Sequence, residues 1–519
     1  MALPSTPYYI PPTEFLLRLR PPFGAAILPI TRSPMDIIEK LRDIVGDRAS
    51  ASPAERLCYS SDASQVRGTP DYVVRPLSTA EVSDVVGLAA AEGVPVTSRG
   101  AGTGLAGGAV ALRGGIVLDL SGMNRIVEMD LANLAVVVEP GVIQARLNEA
   151  LKPHGFFFPP DPGSANFSTI GGLIANNGSG MRSVKYGTTR NYVLVLEVVL
   201  ADGSVVRTGS RTLKAAAGYD LTRLFIGSEG TLGVITQAVL RVAPLPKARR
   251  LVIASFNSAE EAGQAVASTF AAGIVPSACE ILDRTTVAVL RRCDPSLKLP
   301  DGDVLLFEVD GSEGAVAEAA AEIAALCSAS SGAAAAASVA VVAGAGEMEE
   351  IWAARRLVGA AISRLDPAKS RIYVGEDVGV PIKEIPALIR EVAEISDRFG
   401  IPAMKYGHIG DGNLHVALFI DVLDEGEWAR LAGAADAIHR AAIRLGGTVS
   451  SEHGIGAARS GYMMEQVGSG ALSVMRAIKK ALDPRGIMNP GKLGLDDGPA
   501  EVGGSGCSTG ADGTPGGTS

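Results

Sequence analysis

Arg99-Gly100-Ala101-Gly102-Thr103-Gly104-Leu105-Ala106-Gly107-Gly108 contains Gly102-x-Gly104-x-x-Gly107, the spacing associated with dinucleotide binding. That reading requires a helix directly after the glycines, so that its N-terminus can hold a pyrophosphate. Only residues 109–113 separate the loop from Gly114-Gly115 and the apolar run 116–120, so no such helix fits. The loop reads instead as an anion-binding nest of successive backbone amides, in which glycine permits positive φ and close approach. A glycine turn joining two strands is the plainer alternative. Around it, short Val/Ile/Leu runs at 73–75, 116–120, 135–139, 193–200 and 234–242, punctuated by Gly and Pro, predict strands of a mixed sheet.

Two further segments have the same texture. Residues 160–178, opening with Pro160-Asp161-Pro162-Gly163 and closing with Asn176-Asn177-Gly178, are rich in Gly and Asn and nearly uncharged. Such a stretch offers backbone donors and amide side chains to a neutral ring with many acceptors, such as an isoalloxazine; an irregular loop satisfying itself is the alternative. Gly227-Ser228-Glu229-Gly230-Thr231-Leu232-Gly233-Val234-Ile235 leads into a strand and brings backbone towards the same ligand.

Past residues 244–250 longer helical patterns appear at 260–272, 315–328, 349–365 and 382–399, alternating with strands at 304–309 and 415–420. Two α+β domains are therefore expected, residues 35–246 and 247–495, with 328–346 a low-complexity surface loop. Residues 1–34, rich in Pro and Arg, read as a leader, an extended tail or sequence upstream of a start at Met35; the Gly/Ser/Thr-rich residues 496–519 read as a disordered tail.

Composition narrows the function. Sixty-two glycines among 519 residues is about 12% against a usual ~7%, and their clustering without a three-residue period excludes collagen. A net charge of −9 argues against nucleic acid or an anionic membrane as the main partner. The five cysteines are scattered, with no Cys-x-x-Cys, so neither a disulfide framework nor an iron–sulfur site is encoded, and a reducing, cytoplasmic setting fits best. No apolar run reaches the ~20 residues of a membrane-spanning helix.

Of five histidines, three fall in two short motifs, Tyr406-Gly407-His408-Ile409-Gly410-Asp411-Gly412-Asn413-Leu414-His415 and Ser451-Glu452-His453-Gly454-Ile455-Gly456. On a helix His408 and His415 would stand ~10 Å apart, too far for one metal at ~2.0–2.1 Å from each. The glycines forbid a good helix, and a turn at Asp411-Gly412 folds the two imidazoles together. Adjacent Glu452 and His453 serve one site only where the backbone is irregular, which Gly454 and Gly456 allow. Imidazole with carboxylate suits a divalent ion such as zinc or manganese; the plainer reading makes these histidines hydrogen-bonded core residues. His154 and His439 read as structural.

The three glycine segments, with Lys185-Tyr186-Gly187-Thr188-Thr189, resemble the FAD-binding domain of the vanillyl-alcohol oxidase type flavoproteins, and more narrowly the branch of D-lactate dehydrogenase, the FAD-binding subunit of glycolate oxidase and D-2-hydroxyglutarate dehydrogenase. The resemblance runs from about Tyr59 to Leu493. It implies an α+β fold, an FAD-binding domain followed by an α+β substrate (cap) domain whose C-terminal segment returns to the flavin. It implies FAD held by Arg99, Gly100, Ala101, Gly102, Thr103, Gly104 and Leu105, by Pro162, Gly163, Thr169, Gly171, Gly172 and Asn176, and by Glu229, Gly233 and Ile235. No His or Cys lies in these segments, so the FAD is expected to be non-covalent.

The same resemblance implies His408, His415 and Glu452 as metal ligands, His453 as general base and Asn413 as a substrate contact. Glu350-Ile351-Trp352-Ala353-Ala354-Arg355-Arg356 matches the family's Trp-x-x-Arg and makes Arg355 the anchor for a substrate carboxylate, a solvated helix face being the alternative. The implied activity is oxidation of a D-2-hydroxy acid, D-lactate or glycolate favoured, to the 2-oxo acid by hydride transfer to flavin N5. D-2-hydroxyglutarate dehydrogenase, a flavin-dependent transferase of the alkyl-glycerone-phosphate synthase kind, and a non-catalytic FAD subunit are the competing readings. An electron-acceptor protein or quinone, a second copy of the chain or an iron–sulfur subunit are the expected partners, with peripheral attachment at the inner membrane through such a partner.

Overall fold

The computed structural model describes residues 34–330 and 338–496. Almost all of the expected N-terminal extension and C-terminal tail therefore lies outside the described residues.

Tyr72–Val74, Ile116–Asp119 and Val96–Arg99 form a parallel set, with Ala49–Ser50 antiparallel at the edge beside Tyr72–Val74. The helix Thr79–Glu92 makes the crossover between Tyr72–Val74 and Val96–Arg99. The Ser78 side chain caps it by accepting from the Glu81 amide, and Gly93 ends it in the left-handed conformation. It buries Val82, Val85, Val86 and Ala89. The glycine loop hangs from the end of Val96–Arg99 and reaches Ile116–Asp119 with no intervening helix, as the spacing requires. A five-stranded antiparallel sheet follows, in the order Ile126–Asp130, Ala135–Val138, Val234–Arg241, Val193–Val199, Val205–Gly209. Val136, Val138, Leu196, Val198 and Leu240 turn one face of it towards Leu147, Leu151, Ile170, Leu173 and Ile174.

Ile170–Asn176 is a helix inside the Gly/Asn-rich stretch, for which no helix is expected from composition. Two glycines weigh against helix in isolation, but Ile170, Leu173 and Ile174 are buried at helical spacing, and the Thr169 hydroxyl accepts from the Gly172 amide at its start. Glycine is required at 171 because a Cβ there would stand 2.6 Å from Pro140 Cβ.

Beyond Ala243–Pro244 the chain enters a larger antiparallel sheet in the order Val339–Val342, Ala248–Phe256, Asp303–Gly311, Ala278–Leu282, Ala403–Gly407, Asn413–Asp421, Lys369–Ile372; Val378–Gly379 also pairs with Asn413–Asp421. Both faces are covered, and side chains alternate accordingly. Val252, Ala254 and Phe256 join a core with the helices Ala259–Ala271, Glu313–Ser330, Ile385–Phe399 and Glu425–Arg444, whereas Leu251 and Ile253 join another with Arg284–Cys293, Ala345–Arg356 and Val358–Leu365.

Two expectations need correction. Residues 328–346 are not one surface loop: Val339–Val342 pairs with Ala248–Phe256, and a helix begins at Ala345. Their small-residue composition hid an edge strand. The pattern at 349–365 is two helices, Ala345–Arg356 and Val358–Leu365.

Phe307 is fully buried at the centre of Asp303–Gly311. Phe307→Ala is expected to cost about 3–5 kcal/mol, read as a shift of the guanidinium unfolding midpoint of the flavin-loaded protein.

Candidate active site

Glycines shape a cavity in the front half. Arg99, Gly100, Thr169, Gly171, Gly172, Gly233 and Ile235, all singled out from sequence, line it together with Ser98, Leu120 and Pro140. A Cβ on Gly100 would collide with Thr169 Oγ1, and one on Gly233 would stand 2.7 Å from Val198 Cγ1, so backbone packs where side chains cannot. Thr103 Oγ1 lies 3.2 Å from Ser168 Oγ, which ties the loop Gly100–Ala101–Gly102–Thr103–Gly104–Leu105 to the start of the second segment. The Arg99 guanidinium turns back beneath the loop, donating to Ser61 O at 2.8 Å and packing over the Tyr59 ring. Pro162 O accepts from the Ala165 amide, and Gly163 faces open space.

Residues 483–492 do return to this cradle. Met488 bridges to Val96, Asn489 Nδ2 donates to Gly108 O and Glu229 O, and the buried Lys492 Nζ donates to Val110 O.

The rear half supplies the imidazoles. Ala403–Gly407 and Asn413–Asp421 pair antiparallel, and Gly407 and Gly412, both at positive φ, close the turn between them. His408 and His415 are thereby folded together, with their Nε2 atoms 3.4 Å apart. Glu452 Oε1 lies 3.7 Å from His408 Nε2, 3.3 Å from His415 Nε2 and 3.5 Å from His453 Nε2. Ligands ~2.0–2.1 Å from a tetrahedral cation stand about 3.4 Å apart, so these donors suit a small divalent ion. Asp377 adjoins His415, Glu452 and His453. Its carboxylate, however, already accepts from Asn413 Nδ2, Ser450 Oγ and the amides of Ser451, Glu452 and His453, which uses its ~four lone-pair sites. Asn413 is likewise committed, donating to Asp377 Oδ1 and Val378 O.

Charges inside this cluster bear on one another. Burial works against the Glu452 carboxylate, but hydrogen bonds from His408, His415 and His453 hold it well below the usual range. Burial also opposes charging of His408, yet Glu280 and Glu452 raise it well above an ordinary imidazole. His415 is lowered by burial.

Sequence reasoning missed Glu280. Its fully buried carboxylate meets His408 Nδ1 and takes Arg355 Nε and Nη2 at 2.7 Å each; despite burial, His408 and Arg355 hold it at about 2. This partner turns His408 Nε2 towards Glu452. Arg355, expected as a free anchor on a helix, is thus half committed, and it packs 4.6 Å over the Tyr406 ring. Arg371, from a neighbouring strand, reaches the same ring and is paired with Glu376. Trp352 of the same helix donates to Glu308.

The two halves touch. Asn176 Nδ2 donates to His453 O, Ser179 Oγ to Glu452 Oε2, and the Glu229 carboxylate accepts from the amides of Ile455 and Gly456. Asn176, Ser179 and Glu229, on segments that line the cradle, thus meet the loop 452–456 that carries Glu452 and His453.

Residues 70–209 match the FAD binding domain family, and residues 245–493 match the C-terminal domain of FAD linked oxidases. The chain belongs to the FAD-linked oxidases. It is 39% identical over 469 residues to glycolate oxidase subunit GlcD of Bacillus subtilis (89% of this chain, 97% of that one). It is 33% identical to the mitochondrial D-lactate dehydrogenase [cytochrome] of Arabidopsis thaliana (89% and 80%) and 33% identical to the D-lactate dehydrogenase of Anaerostipes hadrus (88% and 97%). Among solved structures, 4-ethylphenol oxidase from Gulosibacter chungangensis superposes with a TM-score of 0.73 at 21% identity (89% and 97%), and alkyldihydroxyacetonephosphate synthase with 0.69 at 21% (88% and 86%). This FAD-linked oxidase is an FAD-dependent oxidoreductase of the vanillyl-alcohol oxidase fold, and no helix among its described residues is long and apolar enough to cross a membrane.

Because Pro140 leaves no room beside Gly171, Gly171→Val is expected to push apart the two walls of the cradle. The variant should purify without the visible absorption of bound flavin, measured as the ratio of 450 nm to 280 nm absorbance.

Proposed function

We propose that this enzyme oxidises a small D-2-hydroxy acid, D-lactate or glycolate, to the 2-oxo acid. The observation that carries the reading is the convergence of three imidazole Nε2 atoms on Glu452 Oε1, against the segments that line the glycine cradle. The relatives named as glycolate oxidase subunit and D-lactate dehydrogenase support the substrate class.

In this reading His408, His415 and Glu452 hold a zinc or manganese ion. When bound, that ion supplies Lewis acidity that makes the substrate hydroxyl easier to deprotonate, and the flavin supplies the acceptor for the C2 hydrogen and its electron pair. His453 Nε2 takes the hydroxyl proton. Arg355 Nη1, the part of the guanidinium left over by Glu280, holds the substrate carboxylate. As C2 loses its hydrogen with the electron pair and the oxygen loses its proton, the C=O bond forms. Asn413 acts by keeping Asp377, and through it the His453 loop, in place.

Specificity follows from charge. Both guanidiniums around Tyr406 already carry a carboxylate, Glu280 or Glu376. Among the described residues no second cation is assigned to a distal substrate carboxylate, which favours lactate or glycolate over 2-hydroxyglutarate. Reoxidation of the flavin falls to a separate protein or quinone carrier.

Anaerobic mixing of the purified yellow protein with D-lactate or glycolate should bleach the flavin, whereas L-lactate should not. Chelation should abolish the bleaching, and zinc or manganese should restore it; bleaching that survives chelation rules out the metal. His453→Ala should slow bleaching about 10²–10⁴-fold with flavin content unchanged. Glu280→Gln is expected to weaken metal affinity about 10–100-fold, read by calorimetric titration of the chelated protein.

A further inference from the structure

Among the described residues other than glycine, six hold a positive φ, and four of them gather on one loop, residues 451–456, or on its brace. Asp377 (φ 75) accepts from the amides of Ser451, Glu452 and His453. Glu229 (φ 52) accepts from those of Ile455 at 2.8 Å and Gly456 at 2.7 Å. Asn489 (φ 41) donates to Glu229 O, and the Leu493 amide (φ 59) donates to Gly456 O. Left-handed backbone is disfavoured for side chains bearing a Cβ and persists where surroundings over-determine it.

Glu229 is the most telling of the four. Gly227 and Gly230 beside it are also at positive φ, so glycine would be the unstrained choice at 229 as well. The chain instead carries a carboxylate there, only 7% exposed, which must be desolvated. Its two oxygens are taken by the two loop amides, and Oε1 lies 2.9 Å from where a Cβ on Gly454 would stand, so the loop closes on it. Arg459, fully buried, ties the same loop from behind by donating to Gly454 O and Glu376 O.

We propose that Glu229 is the positioning residue for His453: projected from the flavin-binding half, its side chain grips the amides of residues 455 and 456 while Asp377 grips those of 451–453. The base-bearing loop is thus clamped between one carboxylate from each half of the chain. Ser228 and Gly230, on either side of Glu229, line the cradle, while the Glu229 carboxylate is turned to the loop amides. The proposal rests on the reading of His453 as the base.

Glu229→Gly relieves the backbone and removes the carboxylate that holds the two loop amides. The variant should keep its flavin. Its flavin reduction by D-lactate at saturating concentration should fall about 10²-fold, the scale of an ångström-sized misplacement, with a much smaller change in the half-saturating concentration. Hydrogen exchange in peptides covering 451–456 should rise. Glu229→Gln, whose amide oxygen still accepts from one loop N–H, should recover part of the rate, and it carries the same exchange comparison should the glycine variant fail to fold. A wild-type rate in Glu229→Gly, loss of its flavin absorption, or unchanged exchange at 451–456 overturns the proposal. Should the wild-type flavin prove inert to every 2-hydroxy acid, the functional reading fails, and the exchange comparison alone decides the clamp.

Discussion

A buried cluster of imidazoles around one carboxylate oxygen is the constraint from which the rest of this structure follows. His408, His415 and His453 stand within ligating reach of Glu452 Oε1, with His408 and His415 buried and Glu452 and His453 partly so, on two separate segments. Unsupported, such a group would be costly to desolvate. The chain meets that cost with a further layer: Glu280 behind His408, Arg355 behind Glu280, Asp377 behind the 451–453 amides, and Arg459 behind Gly454. Each of these buried groups answers another, and together they fix where the Nε2 atoms point.

The same layer links the halves. A mixed sheet with a glycine cradle and an antiparallel sheet carrying histidines would be independent units if only their surfaces met. Glu229, Asn176 and Ser179 from the first reach the 452–456 loop of the second, while the closing segment 483–492 returns to brace the glycine loop. Formation of the flavin seat and formation of the histidine site are therefore parts of one packing problem.

Much of this was legible in the sequence, because it depended on local chemistry. The spacing from Gly108 to Ile116 excluded a phosphate-binding helix, and the structure has none there. Glycines at 407 and 412 forecast the turn that folds His408 onto His415, and Gly454 and Gly456 forecast the irregular backbone that lets Glu452 and His453 face one way. What escaped was set by distant partners. Ile170–Asn176 is helical because its apolar face is buried, against the preference of its glycines. The strand Val339–Val342 exists because Ala248–Phe256 offers it an edge. Glu280 and Asp377 carry no motif around them, since a buried carboxylate is identified by the groups it meets. For the same reason Arg355 looked like a free cation: its partner lies 75 residues away.

The central claim is that an ion at His408, His415 and Glu452 sits beside the reactive edge of a flavin held by the glycine cradle. A crystal structure of the flavin-loaded protein, with anomalous data at the zinc and manganese edges, measures this directly. The account predicts an anomalous peak ~2.0–2.1 Å from the two Nε2 atoms and from Glu452, with the isoalloxazine ring next to it and His453 alongside. Absence of a peak in metal-replete crystals, or a ring turned away from the imidazoles, would contradict it.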